Sequence, residues 1–139
     1  MILLDSNVLS EFMTDHPDNR VINWLDRQPR TSVWTTSVSV FEIRFGLQTM
    51  PLGKRKDALT LVFERLLSHT IQGRIAGFDH AAAEQAAELG AIRQKRGRPG
   101  ELRDTMIAGI VLASHATLAT RNVRHFEDIA ASVVNPWEP

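Results

Sequence analysis

The sequence predicts an α/β fold in which a short parallel sheet is covered by helices on both faces. Three observations lead there. Short apolar runs alternate with longer segments of helical period along the 139 residues. Those runs are continuous rather than alternating, as strands buried on both faces require. Polar clusters follow two of them directly, Asp5-Ser6-Asn7 and Arg121-Asn122. Sheets of this kind hold their sites beyond the carboxyl ends of strands, at a topological switch point.

Ile2-Leu3-Leu4 is the first strand, and Asp5-Ser6-Asn7 favours a turn and a helix N-cap. Val8, Leu9 and Phe12 carry helical spacing until Pro17 ends it. A second helix is expected over 18–27, with Val21, Trp24 and Leu25 on one face and Pro29 beyond. Residues 32–36 are rich in β-formers and read as the second strand. A helix over about 37–48 follows, with Val38, Val40, Phe41 and Phe45 as its apolar set and Glu42 among them. Leu59, Val62, Phe63, Leu66 and Leu67, at i, i+3, i+4, i+7 and i+8, make the clearest helical stripe. Residues 74–78 read as a third strand. Asp79 suits the cap of a helix over 81–94, whose stripe of Ala82, Ala86, Leu89 and Ile92 is small enough for close packing. After the turn Gly97-Arg98-Pro99-Gly100, a helix over 101–115 faces inward through Leu102, Met106, Gly109, Ile110 and Ala113. Residues 117–120 and 132–134 complete the strands.

Composition narrows the class. The length suits one domain over 1–139. With 16 Lys+Arg against 16 Asp+Glu the net charge is +0, which excludes a strongly basic coat for duplex DNA as a whole-molecule property. Hydrophobic residues at 43% and charged residues at 23% mark a globular chain rather than a disordered one. There is no cysteine, so disulfides, thiolate metal sites and Cys nucleophiles are out. No apolar run approaches the ~18 residues of a membrane helix, and the first residues lack the basic region of a signal peptide. The expectation is a cytoplasmic protein that does not engage a membrane.

Most motif-borne chemistry is absent: no G-x-x-x-x-G-K-[ST], no G-x-G-x-x-G and no G-x-S-x-G. His16, His69, His80, His115 and His125 are scattered without H-E-x-x-H or an i, i+4 pair, and none is expected to ligate metal. The carboxylates say more. Asp5 ends an apolar strand, Glu42 lies among Phe41, Ile43 and Phe45, and Asp104 precedes Thr105-Met106-Ile107-Ala108-Gly109. Acids beside apolar runs are costly to bury unless paired or bound to metal. Taken singly they read as an N-cap, a solvated helix residue and a first-turn acid favoured by the helix dipole. If they converge, they make an all-oxygen nest suited to Mg²⁺ or Mn²⁺.

Met1-Ile2-Leu3-Leu4-Asp5-Ser6-Asn7-Val8-Leu9-Ser10-Glu11 resembles the opening of PIN-domain nucleases. Ser37-Val38-Ser39-Val40-Phe41-Glu42-Ile43-Arg44-Phe45-Gly46 resembles their second acidic block, and Asp104-Thr105-Met106-Ile107-Ala108-Gly109 their third. Leu118-Ala119-Thr120-Arg121-Asn122 and Val134-Asn135-Pro136-Trp137 resemble the VapC toxins, particularly the FitB-like branch. Each block is short, but five in order along the whole chain are specific. The resemblance implies a PIN-like three-layer α/β/α sandwich with a short central parallel sheet. It implies an Mg²⁺-dependent endoribonuclease, with Mn²⁺ as a substitute, acting as the toxin of a type II toxin–antitoxin pair. Asp5, Glu42 and Asp104 match the first three family acids, as metal-holding catalytic residues. Asn122 stands where many relatives carry an aspartate; it can offer a carbonyl oxygen or hold a water, without charge. Asp128 is the alternative fourth acid. Ser6, Asn7, Thr36 and Arg121 are candidates for supporting the carboxylates or touching phosphate, with capping as the alternative for Ser6 and Asn7.

RNA must be drawn to an acidic pocket. Lys54-Arg55-Lys56 and the series Arg93, Lys95, Arg96, Arg98, Arg103 are candidate basic rims, or plain solvated helix ends. Trp34 and Phe63 read as core, whereas Trp24, Phe41, Phe45 and Trp137 read as a lining for a partner. The resemblance implies a cognate VapB-like antitoxin that blocks the metal pocket. An apolar groove between the first helices and the Glu42 helix would suit it. A toxin homodimer, a toxin–antitoxin hetero-oligomer and contact with DNA only through the antitoxin are implied as well. Two rival readings remain. One is a catalytically weak partner-binding module on the same fold, motivated by Asn122. The other is a phosphatase with Asp5 as nucleophile, disfavoured because Asn7 stands where that chemistry wants an acid.

Overall fold

The computed structural model describes residues 1–139. Five parallel strands form one sheet in the order β3-β2-β1-β4-β5. They are β1 (Ile2–Leu4), β2 (Val33–Thr36), β3 (Ile75–Ala76), β4 (Thr117–Ala119) and β5 (Val133–Val134). Six α-helices join them: α1 (Ser6–Phe12), α2 (Asn19–Asp26), α3 (Ser37–Thr49), α4 (Lys54–Arg65), α5 (His80–Lys95) and α6 (Leu102–Ser114). The expected three-layer α/β sandwich is therefore what forms.

β1 is the central strand. The chain steps outward from it through β2 and β3, then returns to its other side for β4 and β5. The switch point lies between β1 and β4, where Leu4 stands opposite Ala119. The next residue on each strand is polar, Asp5 on one and Thr120 on the other, and both emerge at the carboxyl edge of the sheet.

Successive strand residues point to opposite faces, and the core divides accordingly. Leu4 and Ala119 pack with Val8, Leu9, Val21, Trp24, Leu47, Phe63 and Ile71, under α1 to α4. Leu3 and Leu118 pack with Leu89, Ile107, Ile110, Val111 and Phe126, under α5 and α6. The small residues of α5 and α6 bring these two helices close. A Cβ added to Gly109 would overlap the Ala82 carbonyl oxygen and stand 2.7 Å from the Ala86 Cβ.

Several boundaries and faces differ from expectation. β3 and β5 have only two residues each. The helix expected around Leu59–Leu67 starts earlier, at Lys54, and its final turns widen into a π-helical segment over Leu66–Ile71. Leu102, expected to face inward, is 74% exposed because it opens α6 before the helix reaches the core; Ile107, Ala108 and Val111 take the inner face. On α5, Ile92 is exposed and Arg93 is buried in its place, drawn in by an ion pair described below. Trp24 and Trp137 are core residues, so of the four aromatics expected at a partner surface only Phe41 and Phe45 are exposed.

Candidate active site

One hydroxyl organises the carboxyl edge of the sheet. Thr120 Oγ1 donates to Asp5 Oδ2 at 2.7 Å, and accepts from Asn7 Nδ2 at 3.2 Å and from the Asn122 N–H at 3.1 Å. A hydroxyl has one proton and two lone pairs. These three bonds saturate Thr120 and commit its proton to Asp5. Asp5 also caps α1, its Oδ1 accepting the Ser6 N–H at 2.8 Å. Asn7 adds Nδ2 to Asp5 Oδ2 at 3.3 Å, and its Oδ1 accepts the Arg121 N–H at 3.1 Å. Asn7 thereby ties α1 to the segment after β4. Sequence reasoning missed Thr120; its signal was its place, just past a strand at the switch point.

Asp5 is 4% exposed. Burial raises its carboxyl above the ordinary 3.8, against the lowering effect of the Thr120 and Ser6 bonds; Asp104 adds repulsion and His125 relieves it. Glu42, half-buried on α3, is raised above 4.5 first by desolvation and then by Asp5, with Asp104 and Glu101 adding repulsion and Arg103 opposing it. No donor bonds to its carboxylate. Asp104, in the first turn of α6, pairs through Oδ2 with His125 Nδ1 at 2.8 Å. Three acids from the end of β1, from α3 and from the start of α6 thus share one electrostatic field. His125 escaped sequence reasoning because nothing local to it marks a partner 21 positions away.

Asn122, Ser6, Glu42 and Arg121 line one open cleft of about 480 Å³. The Asn122 side-chain amide makes no hydrogen bond within the protein. Arg121 lies over the Trp137 ring, its guanidinium carbon 4.8 Å from the ring centre. Thr36 is elsewhere. It is buried, and its Oγ1 accepts the Ser39 N–H at 3.0 Å as the N-cap of α3. Of the two roles expected for Thr36, supporting the carboxylates or touching phosphate, a buried cap hydroxyl is out of reach of a strand of RNA. Asp128 is also occupied. Arg93 grips it with two bonds at 2.8 Å, which hold its carboxyl below the ordinary range. Arg93 reaches Thr105 Oγ1 and the His125 carbonyl as well. It therefore clamps α5, α6 and the segment after β4, and it leaves the candidate basic rim. Arg103 leaves it too, paired with Glu101 at 3.1 Å.

A groove of about 530 Å³ runs between α1, α3 and α4, with Met13, Ile43, Leu47 and Leu59 on its walls and Glu42 and Arg55 at its polar margin. An apolar groove was expected beside the Glu42 helix; this one is mixed, with Ser10, Thr14 and Asp15 also in its lining.

The model of the PIN domain family matches residues 2–132. This chain belongs to the PIN-domain family. It is 35% identical over 139 residues to "VapC ribonuclease Y4jK" of Sinorhizobium fredii, covering 100% of this chain and 99% of that one. "Toxin FitB" of Neisseria gonorrhoeae is 33% identical over 137 residues, 99% of each chain. The crystal structure of FitAcB from Neisseria gonorrhoeae matches the fold with a TM-score of 0.90 at 32% identity, over 100% of both chains.

PIN ribonucleases depend on a divalent metal, and the donor set of this PIN chain fits one. The converging groups are carboxylates and one amide, all hard oxygens. Asp5 and Glu42 carry the desolvation and mutual repulsion that a cation relieves. No three acidic or imidazole side chains stand close enough together to chelate an ion unaided. A hard divalent cation that keeps several of its waters needs only few direct carboxylates.

Proposed function

We propose that this PIN chain, residues 1–139 as one domain, is a metal-dependent endoribonuclease and the toxin of a toxin–antitoxin pair. Full-length similarity to proteins named VapC ribonuclease and Toxin FitB supports the reading. The observation that carries the chemistry is the Asp5 carboxylate, buried at the switch point and repelled by Asp104, with Glu42 repelled by both.

In this reading Asp5, Glu42 and Asp104 hold the cation, Mg²⁺ with Mn²⁺ as substitute. The bound ion supplies a water of lowered pKa and offsets charge on the phosphate. Thr120 and Ser6 fix Asp5, and His125 fixes Asp104. Glu42, with no donor bound, is free to turn toward ion or water. Asn122 orients a water through its amide. Arg121, seated on Trp137, offers its guanidinium to phosphate at the lip of the cleft. Hydrolysis adds water across a P–O3′ bond and leaves a 3′-hydroxyl and a 5′-phosphate. A VapB-like antitoxin inhibits the chain from the groove beside Glu42, within a hetero-oligomer built on a toxin homodimer, and DNA is contacted only through the antitoxin. We place the protein in the cytoplasm; no helix is long and apolar enough to cross a membrane.

The test is cleavage of a labelled single-stranded RNA pool by the purified chain, with Mg²⁺ or Mn²⁺ present or chelated. Cutting that needs metal and vanishes in Asp5→Asn and Asp104→Asn is the expected result. Metal-independent cutting, or cutting retained in both variants, would overturn it. The neutral Asn122 favours one second reading, a PIN-fold partner-binding module with weak catalysis. It predicts no cutting, together with no Mg²⁺ or Mn²⁺ affinity that Asp5→Asn abolishes.

A further inference from the structure

A second cavity, of about 410 Å³, has Asp104 in its wall and no hydrophobic residue. Its charges look balanced until the pairs are removed. Arg93 is spent on Asp128 and Glu101 on Arg103, while Asp104, hydrogen-bonded to His125, belongs to the acidic centre. What remains is Arg96, Arg98 and Arg124, whose side chains make no hydrogen bond or ion pair, with one unpaired acid, Glu127, in the same wall. The three arginines come from two separate segments, the α5–α6 turn and the stretch after β4. The Arg93 clamp joins those segments through Asp128 and the His125 carbonyl, so the seat is held in place.

We propose that Arg96, Arg98 and Arg124 form a binding site for the phosphodiester backbone of RNA, adjoining the acidic centre through their shared wall, Asp104. The inference rests on the ribonuclease reading and adds to it the side of the site along which the strand runs. Unpaired guanidiniums match phosphate oxygens in a planar, bidentate way. A wall without apolar residues gives a peptide side chain nothing to anchor on, but suits a charged backbone. The cavity also answers how a chain of zero net charge brings an anion to a nest of acids: the positive charge is local, and it sits beside the nest. Lys54-Arg55-Lys56, on α4, takes no part.

The experiment measures binding of a fluorescent single-stranded RNA to the full chain in chelator, by anisotropy over a salt series. Steady-state cleavage of the same RNA with Mg²⁺ is run alongside. The variant is Arg96→Gln/Arg98→Gln/Arg124→Gln, three exposed positions without partners, and its fold is checked by thermal melting. Affinity is expected to fall at least about tenfold. The slope of log K against log salt should shrink by about two, since each single-strand phosphate contact contributes about 0.7. In cleavage, KM rises by a similar factor with kcat little changed. The matched control Lys54→Gln/Arg55→Gln/Lys56→Gln removes the same charge and should leave both measures near wild type.

Unchanged affinity in the arginine variant, or equal loss in the control, overturns the proposal while wild-type cleavage keeps the ribonuclease reading intact. Absence of both RNA binding and cleavage in the wild type overturns that reading as well. Two competitors distinguish other occupants. Full displacement of RNA by micromolar mononucleotide would make this a nucleotide pocket. Full displacement by an equimolar acidic peptide would assign it to a protein segment. Either overturns the strand reading.

Discussion

Thr120 is bonded in every direction open to it, and the consequences reach three neighbours. Thr120→Val keeps the shape but leaves Asp5 Oδ2 without its 2.7 Å donor, and Asn7 and Asn122 without their acceptor. Removing one side of a buried polar contact costs about 1–3 kcal/mol. The expected outcome is a destabilisation of that size in urea unfolding, with weaker divalent-metal binding. Unchanged stability would mean that Asp5 is held without Thr120. Asp5, Glu42 and Asp104 stood out as acids beside apolar runs, but singly they read as a cap, a solvated residue and a first-turn acid, and it was the resemblance to PIN-domain nucleases that grouped them. Thr120 and His125 were not, because a threonine after a strand and a histidine in a polar stretch are ordinary until their partners are known.

At the scale of elements, the contact between α5 and α6 depends on one missing methyl group. Gly109→Ala gains about 1 kcal/mol of helix propensity, but its Cβ meets the Ala82 backbone carbonyl, which cannot swing aside as a side chain can. Overpacking of this kind costs about 1–3 kcal/mol. A net fall in melting temperature is expected, whereas a rise would show that the helices part freely. The small stripe on α5 announced this packing in advance. The exposure of Leu102 was not announced, because periodicity says which face a residue takes but not where along a helix the core begins. Arg93 fell outside the pattern for a similar reason: its burial depends on Asp128, 35 positions away.

For the molecule as a whole, metal and pH should act on the same free energy. Asp5 and Glu42 are both raised above their ordinary values of 3.8 and 4.5. A raised folded-state carboxyl contributes stability below its ordinary value and loses it as pH climbs through the raised one. The metal-free protein is therefore penalised toward neutrality, and a bound cation lifts the penalty. The increment in melting temperature produced by Mg²⁺ should grow from about pH 4 to about pH 7. Glu42→Gln should stabilise the metal-free protein slightly at neutral pH, by no more than a few tenths of a kcal/mol since the group is half-exposed and screened. It should also shrink the Mg²⁺ increment. An increment that does not vary with pH would separate the acids from the metal.

The order of strands and helices along the chain and the two-sided burial of β1 were readable from residue types and their local spacing, whereas the three acids were singled out by the resemblance to PIN-domain nucleases. Hydrophobic period and turn chemistry act within a few residues, and a sequence displays them directly. The meeting of Asp5 with Thr120 across 115 positions, of Asp104 with His125, and of the free arginines with one another depends on the register between β1 and β4 and on the path of the segment after β4. Those arise from packing the whole chain at once. Only with each pairing placed in space does it become visible which charges are spent and which remain to bind.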